Sequence, residues 1–189
     1  MSAKQGAKRP VSLEDLIAER QGQSPLLCYQ CGECTAGCPM APDMDLSPNQ
    51  VIRMVQIGAA EEALRSKSIW FCASCQTCTT RCPQGFDIAK FMDVLREMSL
   101  QRGMVHRQAK PLVAFHRSFL DTIRYGGKAY EMGLVMLYKL RTGRLFEDIT
   151  LAPAMRKRGK MHLLPDTVSR TGKWRSFLKK MTKGTEADS

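Results

Sequence analysis

The sequence predicts an all-α fold, and three observations lead to it. Each of two cysteine-rich motifs is followed by a helix signal, and the 33 residues between the motifs show helical patterning with little strand alternation. The pattern stays helical beyond Gly103. We therefore expect an amino-terminal arm with a short helix at 1–24, a domain that holds both motifs at 25–104, and a helical, basic extension at 105–189.

Capping residues mark the helices of the amino-terminal half. Ser12 is expected to cap a short helix to about residue 20, with Asp15 completing a weak capping box. Ser47 caps a second helix, which has proline at its first position and ends at Gly58. A short helix near 60–66 fills the rest of the gap. The apolar stripe of the second helix is predicted to be Val51, Met54 and Val55.

A longer helix follows the second motif. Asp87 can cap it, and Gly103 stops it after about Arg102. Its inward face is predicted to be Ile88, Phe91, Met92, Leu95 and Met98.

The extension is expected to contain two more helices, at 106–125 and 128–141, each followed by glycine. The first has an alternative start at Pro111. The second is apolar nearly all round, so we expect a partner protein to bury it. Residues 152–189 are basic and weakly periodic, and they are expected to form an extended or partly disordered arm that orders on a partner.

All eight cysteines fall into two copies of the motif C-x2-C-x2-C-x3-C-P, which lie 44 residues apart. The first copy is Cys28, Cys31, Cys34 and Cys38, and the second is Cys72, Cys75, Cys78 and Cys82. This is the spacing with which bacterial-type two-cluster ferredoxins hold [4Fe-4S] clusters. The motifs therefore predict ligands for two cubane clusters, with no thiol left over.

Three other interpretations of the cysteines are weaker. Structural zinc favours two CxxC units about 15–20 residues apart, whereas each motif here packs four cysteines into eleven residues. A disulfide framework is typical of short secreted chains. Free structural cysteines would not repeat at a fixed spacing.

The resemblance to two-cluster ferredoxins also implies a ligand pattern. In those proteins the fourth cysteine of each motif ligates the other cluster. The proline after it favours this, because proline restricts its own backbone and that of the residue before it. The first cluster would then take Cys28, Cys31, Cys34 and Cys82, and the second would take Cys72, Cys75, Cys78 and Cys38.

Charge is unevenly distributed along the chain. Residues 1–104 contain eleven Lys/Arg and eleven Asp/Glu, whereas residues 105–189 contain eighteen and seven and carry the whole net charge of +11. The basic arm has clustered Lys and Arg but only Trp174 and Phe177 as stacking partners, and it contains no recognised nucleic-acid-binding module. Docking on acidic partner proteins is favoured over peripheral contact with an anionic membrane. No export signal or membrane-spanning stretch is visible, so a cytoplasmic protein is expected.

With its long helical gap, the dicluster region resembles the α-helical ferredoxins, which are domains of larger oxidoreductases. The chain from about Leu26 to Phe146 is similar to the C-type subunits of the heterodisulfide reductases. This resemblance rests on the dicluster region and on the segment FHRSFLDTIRYGGKAYEMGLVMLYKLRTGRLF. The resemblance implies an electron-transfer component of a hetero-oligomer. It would relay electrons between an A-type subunit, which carries flavin and iron–sulfur clusters, and a cysteine-rich, catalytic B-type subunit.

The main alternative is the iron–sulfur component of a flavin-dependent dehydrogenase that passes electrons to a quinone-reactive partner. No catalytic residue is assigned to this chain under either interpretation. His106, His116 and His162 are expected at surfaces or interfaces, because none has a defined partner. Glu33 and Arg81, inside the motifs, are either solvated loop charges or charges that tune the cluster potentials.

Overall fold

The computed structural model describes residues 12–143 and Ser176, and within them it contains helices and no strand. The chain divides between Ala109 and Lys110 into two units. The first unit contains α1 (Leu13–Gln21), α2 (Glu33–Ala36), α3 (Pro48–Gln56), α4 (Ala60–Arg65), α5 (Ser68–Phe71), α6 (Thr77–Arg81) and α7 (Ile88–Gln101). Single 3-10 turns lie at Pro25–Leu27, Ala41–Asp43 and Arg107–Ala109. The all-α prediction is confirmed.

Helix α1 begins with the capping box that the sequence predicts. The Ser12 backbone N–H donates to the Asp15 carboxylate at 3.1 Å, and the Asp15 N–H donates to the Ser12 hydroxyl at 3.1 Å. At α3, the Ser47 N–H donates to the Gln50 side-chain oxygen at 2.8 Å. These bonds satisfy backbone groups that have no partner inside a helix, so they fix where each helix starts.

Helix α7 is the centre of the first unit and contacts α1, α4, α5 and α6. The Asp87 carboxylate accepts from the Lys90 N–H at 3.0 Å and caps it as predicted. All five residues of the predicted inward face are buried. The ring of Phe91 lies 5.5 Å from that of Phe86, centroid to centroid. Each fully buried side chain of this size contributes about 1.5–3 kcal/mol, so α7 anchors the loops on either side of it.

The predicted stripe of α3 is only partly right. Val51 and Val55 are buried, but Met54 is only partly buried, and Ile52, which was not predicted, is fully buried. Helix α3 contacts α4, α2 and the 3-10 turn at Pro25–Leu27. Because these neighbours cover more than one face of the helix, its buried surface is wider than a single stripe.

The second unit contains α8 (Lys110–Gly126) and α9 (Glu131–Thr142), which pack against each other. Arg141 ties them together, because it donates to the Ser118 hydroxyl at 3.1 Å and pairs with Asp121 at 2.5 Å. The rings of Phe115 and Tyr138 meet edge to face, 6.1 Å apart. Both helices exist as predicted. Helix α8 starts at Lys110, next to the alternative start at Pro111 and four residues after the start at His106, and α9 starts at Glu131, three residues later than expected.

Several residues of α9 remain at the surface of this unit. Val135, Met136 and Leu140 are exposed, so the described residues of this unit leave part of α9, the apolar helix that was expected to be buried, at the surface. No helix in the described part of the chain has the length and apolarity needed to span a bilayer. Apart from Ser176, the arm predicted at 152–189 lies outside the described residues.

Candidate iron–sulfur site

The two cysteine motifs adopt the same backbone conformation. In each, the second cysteine lies between two residues with left-handed backbone, and a short helix, α2 or α6, follows. These residues are Gln30 (φ 64°) and Gly32 (φ 83°) around Cys31, and Ser74 (φ 49°) and Gln76 (φ 65°) around Cys75. Left-handed backbone costs a non-glycine residue roughly 1–2 kcal/mol. The structure holds this strain at three non-glycine positions beside the cysteines, which is typical of a functional loop.

Side chains from α3 hold the first loop in place. Gln56 donates from its amide nitrogen to the carbonyl oxygens of Cys28, at 2.7 Å, and Pro25, at 2.9 Å. Asn49 donates to the side-chain oxygen of Gln30 at 3.4 Å, and Gln30 donates to the Cys28 sulfur at 3.4 Å. The first motif is therefore fixed by polar side chains from a helix that begins ten residues after it.

Helix α7 performs the same task for the second loop. The Arg96 guanidinium donates to the Ser74 hydroxyl at 2.9 Å and to the Cys72 carbonyl at 3.5 Å. Arg96 is itself held by Asp93 at 2.8 Å. The left-handed backbone at Ser74 is thus stabilised by an ion pair on the central helix.

Asp45 connects the two motifs. Its carboxylate accepts from the backbone N–H groups of Lys67 (2.9 Å) and Ser68 (3.0 Å) and from the Ser68 hydroxyl (2.6 Å), at the start of α5. Burial alone would raise the pKa of the Asp45 carboxyl, but these hydrogen bonds outweigh it and lower the pKa below its usual range. Since α5 leads directly into Cys72, Asp45 links the end of the first motif to the start of the second.

The cysteines are brought together in two groups. One cavity is lined by the second-motif cysteines Cys72, Cys75 and Cys78 together with Cys38 of the first motif. Much of the rest of its wall is apolar and includes Met40, Met44, Pro48, Ile88 and Met92. Four thiols in an apolar cavity match the donors that a cubane cluster needs, one on each iron, in surroundings of low polarity.

Cys82 lies near Cys28 of the first motif. Burial raises the pKa of the Cys28 thiol, and the neighbouring Cys82 and Cys31 raise it further, while hydrogen bonds from Gln30 oppose the shift. The pKa of Cys34 is raised to about 11 by burial, with smaller contributions from Cys28 and Cys78. Since Cys34 is close enough to Cys78 to feel its charge, the two groups of cysteines adjoin.

The solvent exposure of each cysteine depends in part on its position within the motif. The second cysteine of each motif, Cys31 or Cys75, is exposed, whereas Cys34 is buried. Hydrogen bonds with Thr77 lower the pKa of the Cys75 thiol, and burial raises the pKa of Cys78. Iron binds thiolates, so its positive charge must offset the cost of ionising the buried thiols. In the described part of the chain, no three His, Cys, Asp or Glu side chains form a site for a single metal ion.

The remaining candidates lie outside these two groups. His116 is exposed, and the imidazole Nδ1 of His106, in the loop before the Arg107–Ala109 turn, accepts from the Gln108 N–H at 3.2 Å. His162 lies outside the described residues. Glu33 is exposed at the start of α2. Arg81 ends α6, and its side chain lies against Gly37 of the first motif.

Comparison with known proteins supports the cofactor. The family model described as a 4Fe-4S dicluster domain matches residues 27–87. Combined with the eight cysteines, this match identifies the cofactors as two [4Fe-4S] clusters, as the motif spacing predicted.

The chain is also similar to three curated proteins, and it spans about half the length of the first two. One is the C-type iron–sulfur subunit of the CoB–CoM heterodisulfide reductase of Methanopyrus kandleri, 29% identical over 103 residues, which are 54% of each chain. Another is the second C-type iron–sulfur subunit of the CoB–CoM heterodisulfide reductase of Methanocaldococcus jannaschii. It is 36% identical over 89 residues, which are 46% of this chain and 47% of the relative. The C-type subunit of the ferredoxin:CoB–CoM heterodisulfide reductase of Methanosarcina acetivorans is 39% identical over 77 residues, 41% of this chain and 31% of the relative.

Proposed function

The chain belongs to the family of C-type iron–sulfur subunits of heterodisulfide reductases, and from this premise we propose that it is the electron-transfer component of a heterodisulfide-reductase-like complex. It would relay electrons between an A-type subunit with flavin and iron–sulfur clusters and a cysteine-rich, catalytic B-type subunit. The observation that carries the proposal is the arrangement of all eight cysteines in two adjoining groups, each drawn from both motifs. When bound, the two clusters supply one-electron redox chemistry.

The ligand sets are part of this proposal. Cys28, Cys31, Cys34 and Cys82 would hold one cluster, and Cys72, Cys75, Cys78 and Cys38 the other. The cavity shared by Cys38 and the second motif supports the crossing, as does the influence of Cys82 on the Cys28 thiol. Because each cluster would take one ligand from the other motif, the two clusters would lie close together, as electron transfer between them requires.

This chain's own residues would bind and position the clusters rather than react with a disulfide. Disulfide reduction by thiol exchange needs a free thiolate that attacks a sulfur. With eight cysteines for the eight irons of two clusters, no cysteine remains for that role. We therefore assign the disulfide chemistry to another protein of the complex.

The first motif also has an apolar rim suited to a partner. Leu26 is 75% exposed and Tyr29 58% exposed, and Leu27 and Ile57 are exposed as well. Gln56, the residue before Ile57, donates hydrogen bonds to the carbonyl oxygens of Pro25 and Cys28. These bonds bring Ile57 close to the first motif. Apolar side chains concentrated in this way are typical of protein interfaces.

The repeat itself shows that this exposure is not a requirement of the cluster loop. The residue equivalent to Leu26 in the repeat, 44 positions later, is Trp70. Trp70 is only 8% exposed, and it belongs to α5, which packs against α7. The second motif is thus covered by its own chain at the position where the first motif is not. We propose that a partner with its own redox centre covers the rim, because electrons must cross there over a short distance.

The test of the function uses the anaerobically reconstituted chain. Reduction of a disulfide by a low-potential dye would be measured with this chain alone, and then with A-type and B-type subunits added. We expect no turnover by the isolated chain and turnover in the assembly. Disulfide turnover by the chain alone would refute the relay. Copurification with a quinone-reactive membrane protein instead of a B-type subunit would support the dehydrogenase alternative.

A further inference from the structure

Two residues at equivalent positions of the repeat touch each other. Gly37 and Arg81 are 44 residues apart, and each immediately precedes the fourth cysteine of its motif. A Cβ atom on Gly37 would lie 2.7 Å from Cδ, 2.8 Å from Nη1 and 2.9 Å from Nε of Arg81. The equivalent helices α2 and α6 are also in contact. Equivalent positions of the two motifs therefore meet at the Arg81–Gly37 contact.

The Arg81 side chain takes up the space beside Gly37. Gly37 has φ −93° and ψ 0°, which does not require glycine. What glycine provides there is room, because the Arg81 side chain occupies the place that a Cβ atom at residue 37 would take. A larger residue at this position would displace the guanidinium.

The Arg81–Gly37 contact lies beside the fourth cysteine of each motif. Gly37 precedes Cys38, which lies with the second-motif cysteines, and Arg81 precedes Cys82, which lies near Cys28. Arginine stays charged at all accessible pH values. A permanent cation on an exposed residue thus lies between the loops that carry Cys38 and Cys82, one cysteine of each group.

We propose that Arg81 tunes both clusters at once: its charge, next to Cys82 and against the residue before Cys38, raises both reduction potentials. The inference rests on the proposed crossed ligation. The physical basis is that a nearby positive charge stabilises the reduced, more negative state of a cluster, and a charge close to a ligand of each cluster acts on both. Gly37 contributes by leaving room for the guanidinium.

The test is a potentiometric titration of both clusters, followed by EPR, on anaerobically reconstituted full-length variants with measured iron content. In Arg81→Gln we expect both midpoint potentials to shift to more negative values. In Arg81→Lys, which keeps the charge, the shift should be smaller. The matched control is Arg65→Gln, an exposed arginine on α4 whose ion-pair partner is Glu61, and it should leave both potentials unchanged. Unchanged potentials in Arg81→Gln, or a shift confined to one cluster, would overturn the proposal.

The repeat provides a second and stricter variant. The double substitution Gly37→Arg with Arg81→Gly supplies the cation from the first motif's loop to the same contact. If a charge between the loops of Cys38 and Cys82 is what matters, both potentials return towards the wild-type values. Potentials as low as those of Arg81→Gln, or loss of the clusters, would show that Arg81 acts through its own loop and would refute the proposal. The titration needs neither partner proteins nor a disulfide substrate. A negative result would therefore count against the Arg81 proposal and would not bear on the relay proposal.

Discussion

At the scale of single residues, the strained positions beside the cysteines are the most informative. Gly32 and Gln76 are equivalent in the repeat and share left-handed backbone, yet only one of them is glycine. A Cβ atom added at Gly32 would meet nothing within 4 Å. The difference between the two positions is therefore one of backbone strain and not of space.

A matched pair of substitutions measures that strain. Gln76→Gly should raise the thermal unfolding midpoint of the cluster-loaded protein, because it removes strain of about 1 kcal/mol, and Gly32→Ala should lower it by a similar energy. Circular dichroism under anaerobic conditions, with iron content determined for each variant, provides the measurement. If both substitutions moved the midpoint in the same direction, strain would not be the cause.

The fourth cysteine of each motif gives the test of crossed ligation. Cys38→Ala should damage the cluster of Cys72, Cys75 and Cys78, because Cys38 lines their cavity, and should leave the other cluster intact. The mirror variant Cys82→Ala should have the opposite effect. Iron content should fall by about half in each, and EPR should show which cluster is lost. Loss confined to the mutated cysteine's own motif would mean that the ligation is not crossed.

At the scale of elements, the sequence predicted the helices with strong boundary signals. Helices α1, α3 and α7 were placed within one or two residues, because caps and glycines mark their ends. Helix α4, which was expected to fill the gap after α3, lies where it was expected but has no capping side chain. Helices α2, α5 and α6 were not predicted. Helices of four or five residues are too short to form on their own, and these depend on contacts such as the one between Asp45 and Ser68.

The site was predictable to a similar degree. Spacing alone identified the eight cysteines and the cofactor, since the ligand motif is local in sequence. The residues that hold the loops were missed because they come from other helices: Asn49 and Gln56 from α3, and Arg96 from α7. The contact between Arg81 and Gly37 was equally invisible, because it joins positions that are adjacent only after folding.

Asp45 provides a prediction for α5. Asp45→Asn should lower the stability of the cluster-loaded protein by about 1 kcal/mol at pH 7, because both carboxylate oxygens accept hydrogen bonds from Lys67 and Ser68 and the amide has only one acceptor oxygen. The pKa of this carboxyl is lower in the folded protein than in the unfolded chain, so its contribution is fully present above the unfolded pKa of about 4 and is lost only as the pH falls below it. The difference between variant and wild type should therefore be constant from about pH 5 to pH 8. Thermal unfolding midpoints across that range test this, and a difference that fades between pH 7 and pH 5 would contradict it.

At the scale of the whole molecule, apolar side chains remain exposed in each unit. They form the rim at Leu26, Leu27, Tyr29 and Ile57 in the first unit and include Val135, Met136 and Leu140 on α9 in the second. The relatives named as components of heterodisulfide reductases are consistent with a chain that works in an assembly. Each exposed apolar surface is thus a candidate contact with another protein of the assembly. The rim is the stronger candidate for contact with a redox partner, because it lies beside a cluster loop.

Leu26→Glu tests the rim. The substitution places a charge on the proposed contact, so we expect weaker copurification with the redox partner and slower electron transfer to it, with both clusters retained. Leu100→Glu, an exposed leucine on α7 in the same unit, is the matched control and should leave binding unchanged. Iron content and quantitative anaerobic pull-down report the two quantities. Equal binding by both variants would place the partner elsewhere.

The cavity shared by Cys38 and the second motif has a consequence for biosynthesis. The chain leaves the ribosome from its amino terminus, so Cys38 emerges long before Cys72, Cys75 and Cys78. Under the proposed crossed ligation, the first motif has no complete ligand set until the second motif follows. Within five residues, from Cys78 to Cys82, the last members of both proposed ligand sets then emerge. Assembly of both clusters would therefore wait for one short stretch of new chain.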